Sequence, residues 1–334
     1  MTTTLSAPPR RVVRSIEVSD LLIWLILGVL VVVNVLFQPS FLTLRNLEFV
    51  FSSSLVLLFA AAAAGYVMLI AEIDLSIGAV MTLVNVLIAT LAPTDPVMAI
   101  ALGLAVGVGC GLVSGSLVAF VRLPSIIVTL AMSTIWAGIA LFIMSRPGGS
   151  IPGAFSAWMY SAVPMIATAV LAVATVWFAR TPAGRRVYGL GSDELGAFLS
   201  RISLPGTKLL VFGIAGLLLG FGGIALSGIT SVGDPLSGQS YTLKAITAAV
   251  LGGISFAGGR GLIPGALAGA LALTLITNVT QFAGVSSFYQ GIVDGGLLIL
   301  SLALSRVVTG RWIPLGGLRL PRQRTANDTP EATS

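Results

Sequence analysis

Ten apolar runs, each bounded by polar residues or by Gly and Pro, follow one another along most of this chain. Only 9% of the residues are charged, against roughly a quarter in an ordinary soluble domain. A helix needs about 20 apolar residues to cross a membrane, so the length allows ten such helices with short loops. We therefore expect an all-α polytopic membrane protein with about ten transmembrane helices, at residues 21–37, 49–71, 74–92, 97–121, 124–145, 162–179, 207–229, 242–257, 261–283 and 288–306.

Two connections between these runs are very short, at residues 72–74 and 258–261. Backbone that is not helical is tolerated at membrane depth where it is buried in protein or lines a cavity. The segments on either side of these connections are therefore interpreted either as complete transmembrane helices or as broken, re-entrant segments.

The Lys and Arg residues predict the orientation, since short cytoplasmic loops carry an excess of basic residues. With the N-terminus inside, fifteen of the 18 basic residues lie in cytoplasmic segments. Both termini are therefore predicted to be cytoplasmic. The expected organisation is an N-terminal segment at 1–20, a transmembrane permease domain at 21–308 with a large cytoplasmic connection at about 180–207, and a disordered cytoplasmic tail at 309–334.

Several kinds of chemistry are excluded by what the sequence lacks. It contains no histidine and a single cysteine, Cys110, which removes the usual catalytic triads and zinc motifs. It has no Gly-x-x-x-x-Gly-Lys-Ser/Thr loop, so it has no ATP site of its own. The basic residues punctuate apolar runs and do not form one face, which argues against nucleic-acid binding. We expect a protein that is not an enzyme and that binds neither a metal nor a cofactor.

Glycines recur at intervals of four residues in two of the apolar runs. Residues four apart share a helix face, and small residues let helix backbones approach closely in lipid. Helix packing is the favoured interpretation, with a role in gating as the alternative. The two runs lie five apart in the series and would cross the membrane in opposite directions, which is compatible with inverted repeats of five helices. The glycines are Gly103, Gly107, Gly111 and Gly115, then Gly261, Gly265 and Gly269.

The largest cytoplasmic connection contains a short amphipathic segment. Ser192 is placed to cap a helix with Asp193 and Glu194 in its first turn, where acidic groups are favoured. Leu195, Phe198, Leu199 and Ile202 recur on one face. Such a helix is either an interfacial connector or a surface offered to a partner's groove, and the residues themselves favour neither.

Several motifs together resemble one family. Residues 191–202 are similar to a cytoplasmic loop with the pattern Gly-x-Asn-Glu-Ala-Ala-x-x-Leu-Ser-Gly-Ile, and residues 73–78, Ile-Asp-Leu-Ser-Ile-Gly, to Ile-Asp-Leu-Ser-Val-Gly. Ala-Ala-Val-Leu-Gly-Gly at 248–253, Gly-Gly-Arg-Gly at 258–261 and residues 284–290 match further stretches. The similarity runs in the same order from about residue 46 to 304. The chain resembles the permease subunits of ribose-type ABC sugar importers, in the branched-chain amino acid/ribose superfamily.

The resemblance implies partners and a site. Such a permease docks on an ATP-binding subunit with two nucleotide domains, which uses ATP and Mg, and it pairs with a second permease copy or a paralogue. A periplasmic sugar-binding protein delivers a monosaccharide or small polyol, and the complex lies in the inner cell membrane. The residues implied in coupling to the ATPase are Gly191, Ser192, Asp193, Glu194, Leu195, Gly196, Phe198 and Leu199.

The chain departs from the family pattern at several of these positions. Leu195 and Gly196 stand where Ala-Ala is usual, and Phe198 where Arg is common. Glu72 replaces a usual Gly, while Thr242 and Lys244 stand where acidic residues are common. The departures at residues 195, 196 and 198 lead us to expect a docking surface that is adapted to its own ATPase.

Four polar residues within or beside apolar runs are candidates for the translocation path, because polar groups in a membrane face protein, water or a partner. Asp74 is interpreted as a helix cap or as part of a gate. Asn85 and Asn278 are more typical of interhelical hydrogen bonds, and Asp294 lies inside the last run. A different function, an ion- or proton-coupled secondary transporter, would use Asp74 and Asp294 as carriers and need no partner.

Two Gly- and Pro-rich connections lie on the predicted outer side, at residues 146–153 and 231–241. Trp158 and Tyr160 follow the first of them, where aromatic side chains favour the membrane interface. The connections are interpreted as loops with an interfacial anchor or as a landing surface for a soluble substrate-binding protein.

Overall fold

A computed structural model of the chain describes residues 18–282, 284, 289, 291, 292, 295, 296 and 299. Asp294 and the tail at 309–334 therefore lie outside the described residues. Most of the tenth apolar run also lies outside them. Within the described part, the chain forms twelve α-helices: α1 Val18–Phe37, α2 Leu44–Leu69, α3 Ile77–Leu91, α4 Pro96–Ala119, α5 Ser125–Ile143, α6 Gly153–Met159, α7 Val163–Arg180, α8 Pro182–Ser192, α9 Glu194–Leu199, α10 Leu204–Thr230, α11 Gln239–Leu251 and α12 Ile263–Phe282.

Six of these helices, α2, α4, α5, α7, α10 and α12, are long and apolar enough to cross a membrane. The helical, polytopic class predicted from the apolar runs is therefore confirmed for the described residues. Two helices beside the short connections are clearly shorter, since α3 has 15 residues and α11 has 13. Both begin after a stretch of non-helical backbone, as expected for broken segments.

The centre of the bundle is formed by α2 and α10. Every residue of α2 from Leu55 to Leu69 is buried, and α10 packs against α2, α3 and α4. The outer helices α5 and α7 carry large exposed apolar side chains, including Phe142, which is 91% exposed, and Trp177, which is 68% exposed. Such a surface suits contact with lipid, because burial against lipid chains removes these side chains from water.

The glycine ladder on α4 lies against other helices. Gly107 faces the backbone of Gly216 and Gly220 on α10, and Gly111 faces Phe212 and Gly216. A Cβ added to Gly111 would overlap the Phe212 carbonyl oxygen. Only glycine allows the two backbones to come this close, as is typical of helix packing in membranes.

The second set of glycines, at residues 261, 265 and 269, does not lie on one helix face, contrary to the prediction. Gly265 faces Gly252, and Gly269 faces Ala248 of α11. Gly261 does not share their helix face, because it precedes α12 and has a φ of 96°, in the left-handed region. Its role is therefore in the turn that leads into α12, where a residue with a side chain would be strained.

A matched pair of substitutions on α4 tests this packing. We expect Gly111→Val to destabilise the chain by about 1–3 kcal/mol or to prevent folding, because the added carbons meet the α10 backbone. Gly109→Val is the control, since a Cβ at Gly109 meets no atom within 4 Å. Thermal unfolding in detergent can be followed by a thiol-reactive dye, since Cys110 is buried. Equal stability of the two variants would contradict the packing role.

Candidate functional site

The predicted amphipathic segment forms a short helix, but its cap differs from the prediction. Asp193, not Ser192, is the N-cap of α9, and its carboxylate accepts a hydrogen bond from the Leu195 N–H at 3.1 Å. Ser192 still belongs to α8, and its hydroxyl donates to the Tyr188 carbonyl at 2.8 Å. The reason is that α8 stays helical through Ser192 and the backbone becomes extended only at Asp193, with φ −161° and ψ 105°.

The apolar face of α9 is not covered by the described part of the chain. Leu195 is 68% exposed, Phe198 63% and Leu199 74%, whereas Ala197 is 4% exposed and anchors the helix to the bundle. Three large apolar side chains on two turns of helix are a surface that water covers unfavourably. Nothing in the described part of the chain covers them, so α9 has the form of a docking surface.

The helix before α9 is seated firmly on the bundle. The Tyr188 hydroxyl donates to the Gly261 carbonyl at 3.1 Å. A Cβ on Gly191 would overlap the Leu69 carbonyl oxygen, and the same oxygen accepts the Gly259 N–H at 2.9 Å. The end of α2, the end of α8 and the turn before α12 therefore meet at one point beside α9.

A cluster of charges joins α9 to the bundle. Lys208, near the start of α10, places its Nζ 2.7 Å from Glu72 Oε1 and 3.5 Å from Glu194 Oε1. The side chains of Lys208 and Glu72 are 17% and 15% exposed, and that of Glu194 is 62% exposed. This cluster was not predicted from the sequence, although Glu72 departs from the family pattern.

Asp74 lies in the connection between α2 and α3 and is 6% exposed. Its Oδ1 accepts hydrogen bonds from the Ser76 N–H at 2.7 Å and the Ser76 hydroxyl at 2.6 Å. Ser76 is itself the N-cap residue of α3. The carboxylate therefore stabilises the turn ahead of α3 and does not bind the first-turn amides of the helix.

The first turns of α3 and α11 hold one another by reciprocal hydrogen bonds. The Gly78 N–H donates to Thr242 Oγ1 at 2.9 Å, and the Gly238 N–H donates to Thr82 Oγ1 at 3.0 Å. Both glycines are buried, and a Cβ on either would overlap the carbonyl oxygen of the other. We call the contact of residues 78 and 82 with 238 and 242 the α3–α11 junction.

The two sides of this junction share a sequence pattern that our sequence analysis did not detect. Residues 74–83 and 234–243 both read Asp-x-x-x-Gly-x-x-x-Thr-Leu. Each Asp accepts the backbone N–H two residues on, Ser76 in one case and Leu236 in the other. The ten-residue match was available as a signal, but only the contact shows that the two segments are structurally equivalent.

Asn85 is fully enclosed within the bundle. Its amide donates to Ser227 Oγ at 3.0 Å and to the Val232 carbonyl at 3.2 Å, and its carbonyl oxygen accepts the Asp234 N–H at 2.8 Å. The side chain thus ties α3 to the end of α10 and to the segment before α11. This arrangement matches the interhelical hydrogen bonding that Asn residues commonly provide in membranes.

Asn278 is brought to a small cavity between α2, α11 and α12 that has both polar and apolar lining residues. The cavity has a volume of about 200 Å³ and is also lined by Ser53, Tyr241, Lys244 and Thr277. The structure thus places Asn278 apart from Asp74 and Asn85. The four predicted path residues do not form one site within the described part of the chain, and Asp294 lies outside it.

At the other end of the bundle, two connections combine into one surface. Gly148 and Gly233 exchange backbone hydrogen bonds of 2.9 and 2.8 Å, and the hydroxyls of Ser156 and Ser231 lie 2.9 Å apart. Gly148, Ser231 and Gly233 belong to the two Gly- and Pro-rich segments predicted to lie on one side of the membrane, and Ser156 lies on α6, just after the first of them. They form a continuous platform at the end opposite α9.

Comparison with known proteins gives matches over most of the chain. Residues 46–302 match the model of the family described as branched-chain amino acid transport system / permease component. The ribose import permease protein RbsC of Bacillus subtilis is 34% identical over 293 residues, covering 84% of this chain and 90% of that protein. The D-allose transport system permease protein AlsC of Escherichia coli is 33% identical, covering 85% and 90%.

A third relative is the L-arabinose ABC transporter permease protein AraH of Azospirillum brasilense, which is 32% identical and covers 82% of this chain and 86% of that protein. No solved structure matches the chain. The family match extends over the bundle, the α3–α11 junction and the α8–α9 connection. The chain therefore belongs to the family of permease components of the branched-chain amino acid transport system type, as its motifs predicted.

Proposed function

We propose that this chain is the membrane-spanning permease subunit of an ATP-binding-cassette importer and forms the path for a monosaccharide or related small polyol. The observation that carries the proposal is the exposed apolar face of α9, held on a rigidly seated α8. Leu195, Phe198 and Leu199 do not pack on the bundle, so they are available to the groove of a partner protein.

The partner in this proposal is a cytoplasmic ATP-binding subunit with two nucleotide domains. It docks on residues 191–199 and uses ATP and Mg, because this chain has no phosphate-binding loop. ATP binding moves α9, and the attached helices shift between two arrangements that open the path to opposite sides. Hydrolysis takes place in the partner, so this subunit is not itself an enzyme.

The proposed topology has ten transmembrane helices, both termini in the cytoplasm and α9 on the cytoplasmic face of the inner membrane. The distribution of basic residues supports this orientation. The reciprocal α3–α11 junction and its shared sequence pattern support inverted repeats, in which α3 and α11 are equivalent half-helices.

The path itself is proposed to lie between this subunit and a second copy or paralogue. Asp74, Asn278 and Asp294 remain its candidate polar residues, and Asn85 contributes by fixing α3 to α10. The platform formed by residues 146–153 and 231–241 is the proposed landing surface for a periplasmic sugar-binding protein. The names of the relatives, which include ribose, D-allose and L-arabinose permeases, support a monosaccharide as the substrate.

The experiment is a mild-detergent pull-down of the tagged chain from its native membranes, with mass spectrometry, ATPase assays and uptake of those sugars. We expect a two-domain ATPase to co-purify with the wild type. Glu194→Lys should insert normally but lose both the ATPase and sugar uptake, because its ammonium group would stand beside that of Lys208.

Glu194→Gln is the control for shape, since it removes the charge without adding a like charge beside Lys208. It should retain more of the ATPase than Glu194→Lys. A wild-type chain that purifies alone, with equal transport by all variants, would contradict the proposal. Sugar accumulation by the purified chain on an imposed ion gradient would establish the ion-coupled secondary transporter instead.

A further inference from the structure

The two ion pairs of Lys208 differ in strength and exposure. Its contact with Glu72 is 2.7 Å long and largely shielded, and its contact with Glu194 is 3.5 Å long, with a carboxylate that is 62% exposed. Exposed ion pairs contribute little because water and salt screen them, whereas shielded pairs are costlier to break. The Lys208–Glu72 ion pair is therefore the constant one, and the Lys208–Glu194 ion pair is the one that can break.

Space for Glu194 to move away from Lys208 is present beside the cluster. A cavity of about 730 Å³ separates α9 from the turn between α4 and α5. Its lining includes Glu72, Glu194, Lys208, Arg122 and Phe198. Because α9 borders a cavity on this side, space is available for it to move in that direction.

Glu72 connects the cluster of charges to the bundle. Glu72 begins a short extended connection in which the Ile73 and Leu75 N–H groups donate to the Ser125 and Thr129 hydroxyls of α5, at 3.1 and 3.0 Å. Two residues after Glu72, Asp74 shapes the turn that starts α3. The start of α3 is bound to the start of α11 at the α3–α11 junction.

We infer that Lys208 is a positioning residue that couples movement of α9 to the α2–α3 connection, and through it to the paired half-helices α3 and α11. The inference rests on the proposed function, since it assumes that an ATP-binding subunit moves α9. Lys208 keeps Glu72 as its constant partner, while Glu194 approaches and leaves with α9. The cluster thus acts as a contact between the docking surface and the part of the bundle where two helices are broken.

The test uses the purified complex of this chain with its ATP-binding subunit, reconstituted in liposomes with the binding protein. The sugar is whichever of D-ribose, D-allose or L-arabinose the wild type takes up. The two readouts are the ATPase that co-purifies and the number of sugar molecules transported per ATP hydrolysed. A residue with a purely structural role would not change this ratio in a complex that still assembles.

We expect Lys208→Met and Glu72→Gln each to assemble with the ATPase and to lower this ratio about tenfold or more. The double variant should be no worse than either single variant, because both remove the same contact. Lys208→Arg should retain most of the coupling, since it keeps the charge. Arg186→Met is the matched control, as it removes an exposed cation from neighbouring α8 and should leave the ratio unchanged.

The possible failures are distinguishable. A wild-type chain without an associated ATPase overturns the proposed function and this inference with it. If the wild type, Lys208→Met and Glu72→Gln all transport the same number of sugar molecules per ATP hydrolysed, the inference is overturned and the proposed function is not. If Lys208→Met does not fold, Glu72→Gln decides the question, because it preserves the shape of the side chain. An equal loss in Arg186→Met would show a general effect of charge and also overturn the inference.

Discussion

Leu199→Asp is expected to remove the ATP-binding subunit from the purified complex while leaving this chain folded. Leu199 is 74% exposed at the last turn of α9, so an aspartate there remains solvated in the isolated chain. In the proposed complex, the partner would cover the same position. The variant would lose the favourable burial of a leucine and would carry an unpaired carboxylate into an apolar groove.

The expected size of this effect is large. Burial of a leucine side chain is worth about 1.5–3 kcal/mol, and an unpaired buried charge costs several kcal/mol more unless it is neutralised. Together they correspond to a loss of affinity of about 100-fold or more. Co-purification of the ATPase and sugar uptake would both be lost, whereas membrane insertion and the unfolding temperature of the chain in detergent should be unchanged.

Ser200→Asp is the matched control, because it adds the same charge at the next residue, which is also exposed, without removing an apolar contact. It should retain most of the bound ATPase. Phe198→Asp, on the same face, should reproduce the loss. If Leu199→Asp and Ser200→Asp both assembled normally, the apolar face of α9 would not be the docking surface.

Gly238→Ala should unfold or severely destabilise the chain, and Gly78→Ala should do the same. At each position a single added methyl group would overlap the carbonyl oxygen of the opposite glycine. Backbone atoms cannot rotate away as a flexible side chain can, so the two helix ends would have to separate. Separation would also break the two threonine hydrogen bonds, which leaves buried backbone N–H groups without acceptors.

The threonines allow a finer test of the same junction. Thr82→Val and Thr242→Val each remove one hydroxyl acceptor with little change in shape, at an expected cost of about 1–3 kcal/mol. Because the contact is reciprocal, the two losses should be similar. Unfolding can be followed by the reactivity of Cys110, the only cysteine in the sequence.

Gly138→Ala on α5 is the control for the glycine substitutions, since a Cβ there meets no atom within 4 Å. It should be as stable as the wild type or slightly more so, because alanine favours the helix. Normal stability of Gly78→Ala and Gly238→Ala would contradict the close contact of α3 and α11.

Several features could be predicted because they depend on residues close together in the chain. Helices form through hydrogen bonds between residues four apart, so the apolar runs indicated the helices to within a few residues at most ends. Small residues at intervals of four indicated the close face of α4 against another helix, although not which helix. The amphipathic pattern around Glu194 indicated α9, whereas its cap was misplaced by one residue because α8 stays helical through Ser192.

The family was also predicted from the sequence alone, since several separate motifs occur in the expected order, and the comparisons confirm it. The candidate site was predicted only in part. The residues around Glu194 were recognised, but Lys208 was counted only as a basic residue of a cytoplasmic segment.

What the sequence by itself determined is therefore the membrane class, the helical segments, the family and the position of the short helix α9. The tertiary structure alone decided which distant residues meet: Lys208 with Glu72, Gly78 with Gly238, and Asn85 with the end of α10. Helix formation and hydropathy are properties of neighbouring residues, so a linear pattern is enough to reveal them. Contacts between residues more than a hundred positions apart depend on how all the helices pack together, and no local pattern specifies that packing.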